Sequence, residues 1–87
     1  MNQARSILVV DDEASMREFL DVLLSKEGYQ VSDAKNGKQA VKMIQNNNYD
    51  LILSDIRLGD ITGLDVLKEA KKKNSNTVVI MISAYST

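Results

Sequence analysis

The sequence predicts an open α/β sheet of parallel strands, and three observations carry that prediction. Short, branched apolar runs alternate with longer segments whose apolar residues recur at helical spacing, in the order βαβαβαβ. The connections are long enough for right-handed crossovers between parallel strands. Acidic residues end two of the apolar runs, and in sheets of this kind ligands bind just outside the carboxyl ends of the strands.

The first strand is Ser6 to Val10, a run with no polar alternation that reads as buried on both faces. Residues 13 to 27 form an amphipathic helix, with Met16, Phe19, Leu20, Leu23 and Leu24 on one stripe and Gly28 closing it. Gln30 to Ala34 is a weaker second strand. Asn36 caps the second helix, with Gln39 three residues on and Ala40, Val41 and Ile44 as its apolar face. Asn46-Asn47-Asn48 ends it. The third strand is Leu51 to Ser54. A connection from Asp55 to Gly63 follows, and its apolar members suggest a packed, shaped loop. Thr62 and Asp65 have the spacing of a capping box, opening a helix that turns Leu64, Leu67 and Ala70 inward and ends at Lys71-Lys72-Lys73. Those lysines read as a solvated helix end complementing the dipole. The fourth strand runs from Thr77 to Ser83, and its apolar run from Val78 to Ile82 reads as buried on both faces.

Composition narrows the chemistry. The 87 residues suffice for one domain, and 44% hydrophobic with 26% charged residues is a soluble globular balance. A net charge of -1 gives no general attraction to nucleic acid or anionic membrane. With no Cys and no His, disulfides, thiolate or imidazole metal sites and His-based triads are excluded. The longest apolar run falls far below the roughly 20 residues of a membrane span. The N-terminus lacks the build of a secretory signal, so a cytoplasmic protein is expected.

What remains is carboxylate, hydroxyl, lysine and backbone. Asp11 and Asp12 follow the first strand and Asp55 follows the third. If these strands are neighbours, three acids converge, and a hard cation such as Mg²⁺ relieves their repulsion. Asp12 also suits the N-cap of the first helix, and the two roles are compatible. Asp55 has the alternative of a turn residue, yet a carboxylate beside a bound divalent cation is a reasonable phosphoryl acceptor. Ser83 and Ala84 end the fourth strand. The Ser83 hydroxyl suits a phosphoryl oxygen, though an isolated serine there also reads as a turn residue.

Val9-Val10-Asp11-Asp12-Glu13, the Asp55-to-Gly63 loop and Ile80-Met81-Ile82-Ser83-Ala84 together resemble the receiver domain of two-component response regulators, over essentially the whole chain. The wording Asp55-Ile56-Arg57-Leu58 is similar to receivers of the nitrogen-regulation type, which often precede an ATPase domain and a DNA-binding domain. The resemblance implies a doubly wound, flavodoxin-like sheet of order 2-1-3-4, with the first helix on one face and the second and third on the other. It implies that Asp55 accepts a phosphoryl group from a histidine kinase. Asp12 and Asp55 would hold Mg²⁺ with the backbone carbonyl of Arg57, and Asp11 would hold a metal-bound water or complete the acid pocket. Ser83 would be the switch hydroxyl and Ala84 its small neighbour. Phosphotransfer would be self-directed rather than enzymatic turnover, and the partners would be the kinase and a transcriptional output domain, with no direct nucleic-acid or membrane contact.

Two departures stand out. Gly59 occupies a position where the family usually has Pro. Residues 1–87 also match only the first part of a receiver, without the usual fourth helix, fifth strand and fifth helix, and so without the family's lysine. The expectation is an incomplete receiver that accepts phosphate poorly and self-associates, as a homodimer or higher oligomer, through its uncovered fourth strand. A non-phosphorylated self-association module is the alternative function. A phosphohydrolase with an aspartyl nucleophile ranks below both, because Asp11 and Asp12 are adjacent where an Asp-x-Asp is usual.

Overall fold

The computed structural model describes residues 5–82. Four strands and three helices alternate: β1 (Ser6–Val10), α1 (Ala14–Lys26), β2 (Gln30–Ala34), α2 (Gly37–Asn46), β3 (Leu51–Asp55), α3 (Gly63–Lys73) and β4 (Val78–Ile82). The strands form one parallel sheet in the order β2-β1-β3-β4. Leu8 pairs with Ser32 on one side and Ile52 on the other, so β1 is central. Its apolar side chains are buried on both faces, as the unbroken branched run predicts.

The two faces are covered differently. α2 and α3 pack against each other and together cover one face. Leu8, Val10, Ile52, Ala40, Ile44, Val66 and Ala70 meet there, joined by Leu58 from the β3–α3 loop and by the partly buried Met43, Ile61 and Val79. α1 covers the other face over β1 and β2 only. Alternation along β4 therefore sends Val79 into the core and leaves Val78 and Ile80 half in solvent, at 53% and 46% exposure. The expected burial of β4 on both faces is corrected accordingly, because no described helix lies over that side of β3 and β4. No residue of α1 is fully buried. Met16, Leu20 and Leu24 are half-buried, whereas Phe19 and Leu23 from the same expected stripe are exposed.

Local signals set most element boundaries. Asn36 caps α2 by accepting from the Gln39 amide at 2.8 Å. Thr62 and Asp65 form the predicted capping box of α3. Gly28, at φ +97°, follows α1 in the left-handed conformation that a β-carbon disfavours. Asp12 does not cap α1; Glu13 stands at that position without a side-chain cap bond. Leu64 is not inward, at 56% exposure. Ala70 is buried as expected and Leu67 is half-buried, and α3 buries Gly63 and Val66 with Ala70, a phase set by the close approach of Gly63 to the end of β3.

The lysines ending α3 do more than face water. Lys71 donates to the carbonyls of Ser75 and Thr77. Lys73 reaches across to α2 and donates to the carbonyls of Ile44, Gln45 and Asn47 at 2.9 to 3.0 Å. Carbonyls left open at a helix end are thereby satisfied by a cation from the neighbouring helix.

Candidate metal centre at the carboxyl end of the sheet

Because β1 and β3 are neighbours and parallel, their carboxyl ends present Asp11, Asp12 and Asp55 together. One carboxylate oxygen from each lies within 4.8 Å of the others. Asp11 continues past β1, its amide donating to the Ala34 carbonyl at 3.2 Å, and its side chain is nearly sealed at 3% exposure. Its Oδ1 accepts from the Glu13 amide at 2.9 Å. Asp12 is exposed at the rim, and Asp55 is half-buried as the last residue of β3. The Arg57 amide donates to Asp55 Oδ1 at 3.3 Å.

Burial pushes the Asp11 carboxyl above its ordinary value, and repulsion from Asp55, Asp12 and Glu13 adds to that against the opposing pull of the Glu13 amide. Arg17, beside the pocket, donates from Nη1 to the Asp11 carbonyl at 2.7 Å and pairs with Asp33 at 3.5 Å. A set of hard oxygen donors with mutual repulsion fits a divalent cation of the Mg²⁺ type.

The loop after Asp55 is closed at its base. Arg57 and Thr62 form an isolated antiparallel bridge, and the Gly63 amide donates to the Ile56 carbonyl at 2.8 Å. Leu58 is buried in the core, which supports the expectation of a packed loop.

The family model described as "Response regulator receiver domain" matches residues 7–87. The chain belongs to this family. It is a receiver, the phosphoacceptor module of two-component signalling. It is 42% identical to the transcriptional regulatory protein ZraR of Klebsiella oxytoca over 93% of its own length, but spans only 18% of that protein. It is 38% identical to sporulation initiation phosphotransferase F of Bacillus subtilis, with 91% of this chain and 64% of that one aligned. Among solved structures, the response regulator TrrA of Thermotoga maritima, in complex with Mg²⁺–BeF, superposes with a TM-score of 0.87 at 44% identity, covering 94% of this chain and 71% of that one. A CheY-like receiver from Methanospirillum hungatei gives 0.92 at 30% identity, covering 98% and 68%. The chain thus spans under a fifth of the ZraR proteins it resembles.

Of the residues that sequence reasoning singled out in this receiver, the fold brings Asp11, Asp12 and Asp55 together, with Arg57 two residues beyond. Ser83 and Ala84 lie outside the described residues; β4 is described as far as Ile82, which pairs with Asp55. Arg17 and Asp60 were missed. The signal for Asp60 was available: the first turn of α2 carries no acid, while the β3–α3 loop carries one with no local role.

The raised Asp11 value has a stability consequence. In the metal-free protein, its contribution is full below the unfolded-state pKa and is lost as pH rises through the higher folded-state value. Asp11→Asn keeps the Oδ1 acceptor and removes the charge. It is expected to raise the melting temperature at neutral pH without Mg²⁺, to flatten the decline from acid to neutral pH, and to reduce the stabilisation that Mg²⁺ confers. Thermal unfolding at several pH values, with and without Mg²⁺, measures all three; a variant melting below wild type at neutral pH contradicts them.

Proposed function

We propose that this receiver takes a phosphoryl group onto Asp55 from the phosphohistidine of a histidine kinase, and that the altered surface regulates an output domain, transcriptional in kind. The observation that carries this reading is the convergence of three carboxylates at the ends of adjacent parallel strands, with Asp55 at one of them. A carboxylate oxygen of Asp55 attacks phosphorus as the phosphorus–nitrogen bond breaks, and the departing imidazole takes up a proton. Asp11, Asp12, Asp55 and the main-chain carbonyl of Arg57 are the groups that would hold Mg²⁺, which when bound offsets phosphoryl charge and favours an aligned attack. Ser83 is assigned the switch hydroxyl and Ala84 the small residue beside it.

The Mg²⁺–BeF complex of TrrA and the regulatory names of the ZraR relatives support the cation and the output. The phosphotransfer is self-directed, so the module is a signalling acceptor rather than an enzyme. Among the described residues no helix is long and apolar enough to cross a membrane, and we assign the protein to the cytoplasm. The test is incubation with acetyl phosphate and Mg²⁺, followed by intact-mass and peptide analysis. Slow gain of a single phosphoryl group, removable by hydroxylamine and located on Asp55, is the expected result; no mass change with either a small phosphodonor or a cognate kinase would overturn the reading.

A second reading concerns assembly and is favoured by the apolar side of β4 over which no described element lies. Val78 and Ile80 are exposed on an edge strand, with Phe19 and Val22 exposed on α1 of the same face. We infer self-association of the 87-residue chain, with edges of β4 pairing across a two-fold axis. Sedimentation over a wide concentration range is expected to show dimer or higher species, lost in Ile80→Lys. A monomer throughout would refute it.

A further inference from the structure

The β3–α3 loop is tied at its tip as well as at its base, and the tip is tied to a different helix. The Asp60 carboxylate accepts from the Gly37 amide through Oδ1 and from the Lys38 amide through Oδ2, each at 2.9 Å, across more than twenty residues of sequence. Next to it, Ile61 lies against Gly37 so closely that a β-carbon there would collide with its Cγ1. Asn36 takes the Gln39 amide, so Asp60 satisfies two of the amides that α2 leaves open at its N-terminus. The turn that delivers Asp60 is Gly59 at φ +87°, the most entropically costly residue to order. A loop built on such a turn needs an external tie to hold one shape.

We infer that Asp60 is a positioning residue for the acidic pocket: by clasping the start of α2 it fixes the loop that begins at Asp55 and contains Arg57, and so preorganises the cation site. This rests on the reading of Asp11, Asp12 and Asp55 as that site. Asp60 touches none of the reacting groups; it acts through the backbone between Arg57 and Thr62, whose bridge closes the loop's base. The two amides, that of Lys38 foremost, hold its carboxyl down at about 2, so the clasp is fully formed at neutral pH.

The test is Mg²⁺ affinity by calorimetry, with thermal unfolding alongside, for wild type, Asp60→Ala, Asp60→Asn and Lys73→Met. Lys73 secures the other end of α2 and serves as the control for stability alone. Asp60→Ala is expected to weaken Mg²⁺ binding roughly tenfold, the lower end of the loss seen when a group supporting metal ligands is removed. Asp60→Asn, which keeps one acceptor oxygen, should fall between it and wild type, and it carries the test if the alanine variant does not fold. Lys73→Met should melt earlier with wild-type Mg²⁺ affinity. Wild-type affinity in both Asp60 variants overturns the inference, as does an equal loss in Lys73→Met. Absence of Mg²⁺ binding by the wild-type protein would instead overturn the pocket itself, and the inference with it.

Discussion

Asp55→Asn is expected to remain folded and to take up no phosphoryl group from acetyl phosphate or from a kinase. The amide matches the carboxylate in shape and keeps Oδ1 as an acceptor for the Arg57 amide, so the start of the loop has no reason to move. It lacks the anionic oxygen that attacks phosphorus. Neither remaining acid substitutes well. Asp11 is nearly sealed and already bonded to the Glu13 amide, and Asp12 stands on the turn after β1 rather than at the end of β3. Removing one of three repelling charges also relieves the pocket, so the variant should melt no earlier than wild type in the absence of Mg²⁺. The measurement is intact mass after timed incubation, with unfolding as the control for structure. Labelling of the variant at the wild-type rate would move the acceptor to another residue.

The largest stability effect is expected at Leu8. It is fully buried, sits on the central strand and points into the core shared with α2 and α3. Leu8→Ala removes that contact and leaves a cavity walled by two flanking strands, at a cost of about 2–5 kcal/mol. A chain of this size has a total stability of roughly 4–13 kcal/mol at the usual value per residue, so the variant loses a large share of it. Phe19→Ala makes the contrast. Phe19 is also a large apolar residue on a predicted core stripe, yet it is 60% exposed, and its loss should cost no more than about 0.5 kcal/mol. Urea titration of both variants reads the difference directly. Equal midpoints would mean that β1 does not occupy the centre of the sheet.

The contrast between Leu8 and Phe19 also marks what was legible in the sequence. β1, read from its apolar run, and the weaker β2 carry the boundaries expected of them, and the caps at Asn36 and Thr62 form as their spacing requires. These signals are local: a few neighbouring residues decide them. The three carboxylates were legible because strand ends are local and parallel adjacency brings strand ends together. Burial of a helix or strand face was less legible, since periodicity says that a stripe is apolar without saying what lies over it. Phe19 and Leu23 of α1, and Val78 and Ile80 of β4, face a side of the sheet on which no described element lies across β3 and β4. Leu64 failed for a different reason. The phase read through Leu64, Leu67 and Ala70 and the observed one through Gly63, Val66 and Ala70 fit the same pattern, and the contact of Gly63 with the strand end selects the second. Lys73 acts across more than twenty residues with nothing beside it to announce its partners, and Asp60, similarly distant from its own, was signalled only by the lack of an acid in the first turn of α2.

Gly63 carries a consequence for how this protein can change. A β-carbon there would stand 2.5 Å from the Asp55 carbonyl oxygen and 3.1 Å from the Ile56 α-carbon, both main-chain atoms that cannot swing aside. Any larger residue must therefore force the first turn of α3 and the end of β3 apart, and the strand side of that contact is the backbone that bears Asp55. At this position mutational drift has no neutral path, because packing and pocket geometry are disturbed by the same atom. The far end of the same helix is the opposite case, since Lys73 bonds carbonyls of α2 that are remote from the pocket. Variation that tunes the durability of this fold has room to accumulate there, and very little at residue 63.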